Sequence, residues 1–270
     1  MKLSMITVCF NAELVIEKTI LSVLKQSKKV YEYIIIDGDS KDKTMSIVNS
    51  YKGIFEEKGI RYIIISEPDK GISDAFNKGI IRASGDIIGL INADDELLVN
   101  TNLILDKEYN EKVDVYYGNC IWDEKENSLR YISKPKEKNP QKLSKLLYEM
   151  VMIHPATYIS KKAYDKYGLY DITFKYCMDE ELLYRMVHGK AIFKYIDAEF
   201  SVFRAGGVSD VNSKKVFAEV SRIPRQYNEP ELKIYMIEHK KIIRDFLARK
   251  AKKIGLYKLK ILINREKKIE

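Results

Sequence analysis

With 270 residues, 46% of them hydrophobic, the chain can bury the core of one large domain or of a domain with an appendage, which excludes a disordered protein. Cys9, Cys120 and Cys177 lie far apart without paired metal spacing, no apolar run reaches the roughly 18 to 20 residues of a membrane span, and the N-terminus does not resemble a secretory leader. The net charge of +8 is uneven: residues 239–270 hold 12 Lys and Arg against 3 Asp and Glu, a net +9, so residues 1–238 sum to −1.

In chain order, Leu3 to Phe10 reads as a strand, and Val15, Ile16, Ile20, Val23 and Leu24 follow helical periodicity. Tyr33 to Ile36 is a second strand that runs into Asp37-Gly38. Asp42 to Tyr51 suits a helix, Arg61 to Ile65 a strand, Ser73 to Ala83 a helix and Ile87 to Ile91 a fourth strand. Such alternation predicts an α/β fold with a mostly parallel central sheet flanked by helices on both faces. After Asp95 the pattern loosens. Val113 to Tyr117 is strand-like, Tyr131 to Gln141 is polar with two prolines, and Leu143 to Val151 is helical. A helix with acidic residues at its start is expected over Met178 to Val187, Phe203 to Ser209 reads as a glycine-containing loop, and from about Val216 the chain turns helical and basic.

The fourth strand ends in the adjacent carboxylates Asp94-Asp95. In open α/β sheets ligands sit beyond the carboxyl ends of the strands, and hard divalent cations take oxygen ligands, so a metal-bound phosphate is expected there. A solvated turn opening a helix is the simpler reading of the pair taken alone. The glycine-rich fingerprint of a dinucleotide-binding domain and the Gly-Lys-Ser/Thr run of a P-loop are both missing. The first strand ends instead in Val8-Cys9-Phe10-Asn11, which offers backbone amides, an aromatic face and a short amide to a nucleotide.

Four motifs in order carry a resemblance: Ile6-Thr7-Val8-Cys9-Phe10-Asn11, Ile35 to Thr44 around Asp37-Gly38-Asp39-Ser40, Glu67 to Gly79 around Asp69-Lys70-Gly71, and Asn92-Ala93-Asp94-Asp95. They resemble the ordered motifs of family 2 glycosyltransferases. His154-Pro155-Ala156-Thr157, Asp179-Glu180-Glu181-Leu182 and Arg204 to Ser209 are similar to the acceptor-side motifs of that family, so the likeness covers about residues 3 to 210. It implies a GT-A fold, a nucleotide-sugar donor, Mn²⁺ or Mg²⁺, and inversion at the anomeric carbon.

By this resemblance Thr7, Val8, Phe10, Asn11 and Asp37 would hold base and ribose, and Asp69, Lys70, Asp74 and Asn77 would close over ribose and diphosphate. Asn92, Ala93 and Asp94 would complete the donor site, and the metal would rest on Asp94 and Asp95, because Asn92 replaces the usual first carboxylate of the motif. Gly38 stands where many relatives carry an Asp that reads uracil, which leaves the base open, with a UDP-sugar placed first. Asp179 matches the general-base position, and its neighbours Glu180 and Glu181 would raise its basicity by like-charge repulsion. On spacing alone it reads as a helix N-terminal charge. His154, Glu180 and Arg204 would serve acceptor and diphosphate.

Expected organisation is a glycosyltransferase domain over 1–215, with a nucleotide-sugar half at 1–100 and an acceptor half at 101–215, and a basic helical extension at 216–270. In that extension Ile243, Phe246, Leu247, Ile254, Tyr257 and Ile261 recur among lysines, as in an interfacial helix or in a helix packed on the body. An anionic membrane surface is the expected partner of 239–270, the acceptor a lipid-linked saccharide of surface polysaccharide synthesis, and the location the cytoplasm or the inner face of the plasma membrane. Nucleic acid is not expected, because the basic charge is confined to the tail and the Asp-rich edge repels phosphate backbones. The rivals are a sugar nucleotidyltransferase, for which Phe10-Asn11-Ala12-Glu13 supplies no triphosphate-gripping loop, and a non-catalytic basic scaffold.

Overall fold

The computed structural model describes residues 1–124, 129–135, 152–204 and 213–232, with residue 138 and several positions between 234 and 250. The helix expected over Leu143 to Val151, the glycines after Arg204 and most of the basic tail lie outside the described residues.

The first half alternates as the periodicity predicts: β1 (Leu3–Cys9), α1 (Ile16–Leu24), β2 (Glu32–Asp37), α2 (Thr44–Ser50), α3 (Lys52–Glu57), β3 (Arg61–Ser66), α4 (Ile72–Arg82) and β4 (Ile87–Asn92). The second half is irregular: β5 (Glu96–Leu97), α5 (Thr101–Glu108), β6 (Val115–Glu124), β7 (Leu129–Ser133), a 3-10 turn at His154–Ala156, β8 (Thr157–Ser160), α6 (Lys161–Tyr167), α7 (Met178–His188), β9 (Phe193–Arg204) and α8 (Ser213–Gln226).

All nine strands join one sheet in the order β3-β2-β1-β4-β8-β6-β9-β5, with β7 paired to β6. The strands β3-β2-β1-β4 are parallel, as expected. Beyond β4 the sheet is mixed: β8 runs antiparallel to β4 and β6, β7 antiparallel to β6, β5 antiparallel to β9, and β6 and β9 are parallel. The stretch around Tyr131 expected to be loose is therefore strand β7. Strand β9, which follows no clean alternation, pairs with β6 through register shifts near Asn119.

Strand alternation sorts the core into two layers, one on each face of the sheet. Ile6, Val8, Ile34, Ile36, Ile88 and Leu90 face α4, α6, α7 and α8. Leu3, Met5, Tyr33, Ile35, Ile87 and Ile91 face α1, α2, α3 and α5. From β1 the chain steps outward to β2 and β3, then returns to place β4 on the other side of β1. That reversal opens a crevice between the carboxyl ends of β1 and β4, the standard ligand position in such a sheet. The boundary expected at 215/216 falls inside α8, whose Val220 and Ile223 are buried in the main core.

Candidate active site

One wall of the crevice is built by the loops after β1 and β2, which hold each other through crossed hydrogen bonds. The amide of Asn11 donates to Ser40 Oγ at 2.8 Å, Asn11 Oδ1 accepts from the Lys41 amide at 2.9 Å, and the Ala12 amide donates to Thr44 Oγ1 at 2.7 Å. Asn11 takes a left-handed φ of 48°, which an Asn tolerates better than most residues and which turns the chain at the end of β1. The loops therefore present Phe10, 62% exposed, as an open aromatic face.

Residues expected at this edge divide into two groups. Phe10, Asn11, Asp69 and Lys70 stand at it, and a Cβ on Gly38 would come within 2.7 Å of Asp69 Oδ2 and 3.4 Å of the Phe10 ring. Thr7 and Val8 are buried in β1, and the Thr7 hydroxyl accepts from Tyr33 at 2.9 Å, so side-chain contact from Thr7 is displaced to the backbone and residues beyond it. Asp37 is fully buried. Its carboxylate accepts from Ser66 Oγ at 2.7 Å, from the Ser40 amide at 3.0 Å and from the Ser40 hydroxyl, which makes it the knot of the β2 turn. Asn77 likewise holds backbone: its amide donates to the Tyr170 carbonyl at 2.8 Å and accepts from the Tyr170 amide at 2.9 Å. Asp74 caps the loop before α4 by accepting from the Lys70 amide at 3.0 Å.

At the end of β4 the two carboxylates differ. Asp94 is partly exposed, whereas Asp95 is fully buried, with Oδ1 accepting from the Arg204 amide at 3.0 Å and Oδ2 lacking a hydrogen-bond partner among the described residues. Burial, with Asp94 beside it, pushes the Asp95 carboxyl up to about 7. The Asn92 Oδ1 is also buried and unpaired. Thr19 of α1 pins the turn, its hydroxyl lying 2.8 Å from the Ala93 carbonyl and 2.7 Å from that of Asp95. Arg204, at the end of β9, reaches the same turn: its guanidinium donates to the Asp94 carbonyl at 2.7 Å and pairs with Glu96. Arg204, expected to serve acceptor and diphosphate, thus engages the carboxylate turn itself with its guanidinium.

This donor set suits a hard divalent cation. Two adjacent carboxylates meet orphaned oxygen atoms on Asp95 and Asn92, and a cation would relieve the repulsion that raises Asp95. Among the described residues no group of three or more His, Cys, Asp and Glu converges, so a cation here would draw its remaining ligands from phosphate or water, as Mg²⁺ and Mn²⁺ sites do.

Leu90 lies two residues before Asn92 on the same face of β4 and lines a small pocket with His154, Thr157, Ile159, Tyr164, Tyr170, Asp179 and Leu183. The expected base and the expected acceptor-side histidine thus line one pocket, with Leu90 of β4. Asp179 opens α7, and its Oδ1 accepts from the Glu180 amide at 2.9 Å. Burial pushes its carboxyl up to about 6. Repulsion from Glu180 and Glu181, the expected cause, is not what raises it: Glu181 is paired with Arg185 at 2.6 Å, and desolvation dominates. Burial also pushes His154 down to about 4, so the ring is neutral at pH 7; it stacks on Phe76 at 5.2 Å and meets Tyr170 Oη at 3.5 Å.

Thr19, Tyr164 and Tyr170 belong to the site yet carried no sequence signal. Thr19 sits within an ordinary helical pattern, and the tyrosines reach the pocket only through tertiary packing.

Comparison with known proteins bears on the whole arrangement. The profile "Glycosyl transferase family 2" matches residues 4–168. A GalNAc(5)-diNAcBac-PP-undecaprenol beta-1,3-glucosyltransferase of Campylobacter jejuni is 31% identical over 141 residues, 52% of this chain and 45% of its own length. An uncharacterized glycosyltransferase of Rickettsia typhi is 28% identical over 200 residues, 70% of this chain and 60% of its own, so the chain spans about half the length of these two relatives. A PGL/p-HBAD biosynthesis glycosyltransferase of Mycobacterium bovis is 25% identical over 228 residues, 82% of this chain and 83% of its own. Among solved structures, S. aureus TarS 1-349 in complex with UDP superposes with a TM-score of 0.62 at 18% identity, over 91% of this chain and 72% of that one. The fold is thus of the GT-A type, and, with the profile matched over more than half its length, the chain belongs to glycosyltransferase family 2.

Proposed function

We propose that the protein is an inverting glycosyltransferase that moves a hexose unit from a nucleotide-diphosphate donor, a UDP-sugar first among them, to an acceptor hydroxyl. The observation that carries this reading is the pocket that Asp179 and His154 line together with Leu90 of β4, the strand that leads into Asp94-Asp95. Residues 1–100 bind the donor and 101–215 the acceptor. Phe10 and Asn11 meet the base, Asp69 and Lys70 lie along the ribose and diphosphate, Asp37 and Asp74 hold those loops in place, and Asn77 holds the segment at Tyr170. Asp94 and Asp95 would hold Mn²⁺ or Mg²⁺, which when bound neutralises charge on the departing diphosphate. Asp94 offers the reachable oxygen and Asp95 the buried, unpaired one.

Asp179 removes the acceptor proton as its hydroxyl attacks the anomeric carbon from the face opposite the diphosphate. A carboxyl near 6 is ionised at pH 7 yet more basic than an ordinary Asp, which suits a general base. Neutral His154 orients the acceptor by hydrogen bonding, and Arg204 keeps the carboxylate turn closed.

The Campylobacter relative is named for a saccharide carried on undecaprenyl diphosphate, and by analogy the acceptor here is a lipid-linked saccharide in surface polysaccharide synthesis. Surface character supports this. Leu232, Tyr235, Met236, Ile243 and Leu247 are each more than half exposed and fall on one side at helical spacing, opposite buried Ile234, in a segment rich in Lys and Arg. Among the described residues no helix is long and apolar enough to cross a membrane, so a peripheral stance at an anionic inner surface is proposed.

The test is nucleoside diphosphate release from UDP- and GDP-sugars with Mn²⁺ and an undecaprenyl-diphosphate-linked saccharide. Release by wild type and its loss in Asp179→Asn support the reading; pyrophosphate release from a nucleoside triphosphate and a sugar 1-phosphate, in a parallel assay, instead identifies a nucleotidyltransferase.

A further inference from the structure

Residues 170–177, which lead into α7, are gripped from two sides. From α4, Asn77 holds both backbone groups of Tyr170, and Ser73 donates to the Phe174 carbonyl at 2.9 Å. From α8, Glu219 places Oε1 on the Lys175 amide at 2.9 Å and Oε2 on the amides of Tyr176 and Cys177 at 2.8 and 3.1 Å. Arg222, one turn further on, stacks on Phe174 at 3.7 Å and pairs with Asp171 at 3.9 Å. No side chain caps α7 from its own N-cap, Cys177, so a carboxylate from a distant helix satisfies the amides at its start. Such charge-assisted bonds also suit the positive end of the helix dipole. A solvated surface glutamate would not aim both oxygens at three successive amides, and α8 is itself anchored by buried Val220 and Ile223.

Resting on the reading of Asp179 as the base, we infer that Glu219 is a positioning residue: by fixing the three amides before α7 it sets where Asp179 presents its carboxylate to the pocket. Asp179 lies two residues past the last clamped amide, and among the described residues its carboxylate is held by backbone amides alone, Oδ1 accepting from that of Glu180 at 2.9 Å. Releasing the clamp lets residues 175–177, and with them the start of α7, drift, and lets water reach the carboxylate. A shift of about 1 Å at a catalytic group costs about 100-fold in rate. The inference gives the C-terminal helix, outside the region matched to the family, a part in the chemistry.

The experiment is a carbon-13 NMR titration of the Asp179 carboxyl, assigned with Asp179→Asn, in the full chain and in Glu219→Gln and Glu219→Asp. His154, Tyr164 and Tyr170 are the titratable groups that share its pocket, and none is charged near pH 6, so the midpoint reports hydration of the carboxylate. The expected result is a midpoint near 6 in the wild type that falls by about one pH unit in Glu219→Gln and less in Glu219→Asp, with calorimetric affinity for UDP and Mn²⁺ unchanged. UDP release from UDP-glucose should fall 10- to 100-fold in Glu219→Gln and be no lower in Asp179→Asn/Glu219→Gln than in Asp179→Asn. An Asp179 midpoint that stays put in both folded variants overturns the inference. Full turnover in Asp179→Asn sinks the base reading instead, and the titration still decides the role of Glu219.

Discussion

Two carboxyls raised by desolvation set the behaviour of single residues in this protein. Asp179 must be ionised to accept a proton, so turnover should rise with pH through about 6 and level off above it. Replacement by Asn should lower turnover by about 10²- to 10⁴-fold and leave nucleotide affinity unchanged, as separate rate and binding measurements would show. Asp95 gives a prediction about stability. Its folded-state carboxyl lies near 7, above the ordinary 3.8, so its contribution is complete below about pH 4 and is lost as pH rises through 7. Asp95→Asn, which keeps an acceptor for the Arg204 amide, should therefore raise Tm by several degrees at pH 8 and by little at pH 4.5; an unchanged Tm at pH 8 would contradict this. At this scale the sequence named the right neighbourhood more reliably than the right atom. His154 and Asp179 line one pocket and Arg204 meets the Asp94-Asp95 turn, whereas Thr7, Asp37 and Asn77 bind other parts of the chain. Motif spacing locates a backbone position, but which way a side chain is used depends on partners from distant segments.

Among the elements, β1 to β4 were legible because each is a short apolar run between turn signals, with amphipathic helices at regular intervals. β9 was not, since Lys194, Asp197 and Glu199 interrupt its apolar positions and its register with β6 shifts at Asn119. β7 was hidden for a similar reason: a polar two-stranded edge is stabilised by cross-strand pairs such as Trp122 and Tyr131, which no local pattern announces. The packing of α4 on the parallel sheet makes a sharper prediction. A Cβ on Gly79 would approach Ile6 Cγ2 to 2.6 Å and Ile36 Cγ1 to 3.3 Å. Gly79→Ala should thus destabilise the fold by about 1 to 3 kcal/mol despite its better helix propensity, visible as a lower urea midpoint. A stabilised variant would mean that α4 can rise from the sheet at no cost.

For the whole molecule, the C-terminal segment begins inside the core, where Val220 and Ile223 of α8 are buried. Removal of residues 239–270 should leave Tm within a few degrees of wild type and abolish flotation with anionic vesicles, whereas removal from 213 should expose the core around Val220 and Ile223 and yield insoluble protein. Vesicle binding that survives the shorter deletion would contradict the membrane role of the tail. The sequence suggested one basic extension from 216 because charge and helical period run through it without a break; the burial of every third or fourth residue in α8 shows only in the fold. Donor binding across the β1–β4 crevice is the claim on which the rest depends, and calorimetric titration with UDP, GDP and dTDP, with and without Mn²⁺, tests it most directly. The account predicts metal-dependent binding of one nucleotide, lost in Asp94→Ala/Asp95→Ala and retained in Asp179→Asn. Binding of none of the three, or binding indifferent to both Mn²⁺ and the carboxylate pair, would contradict it.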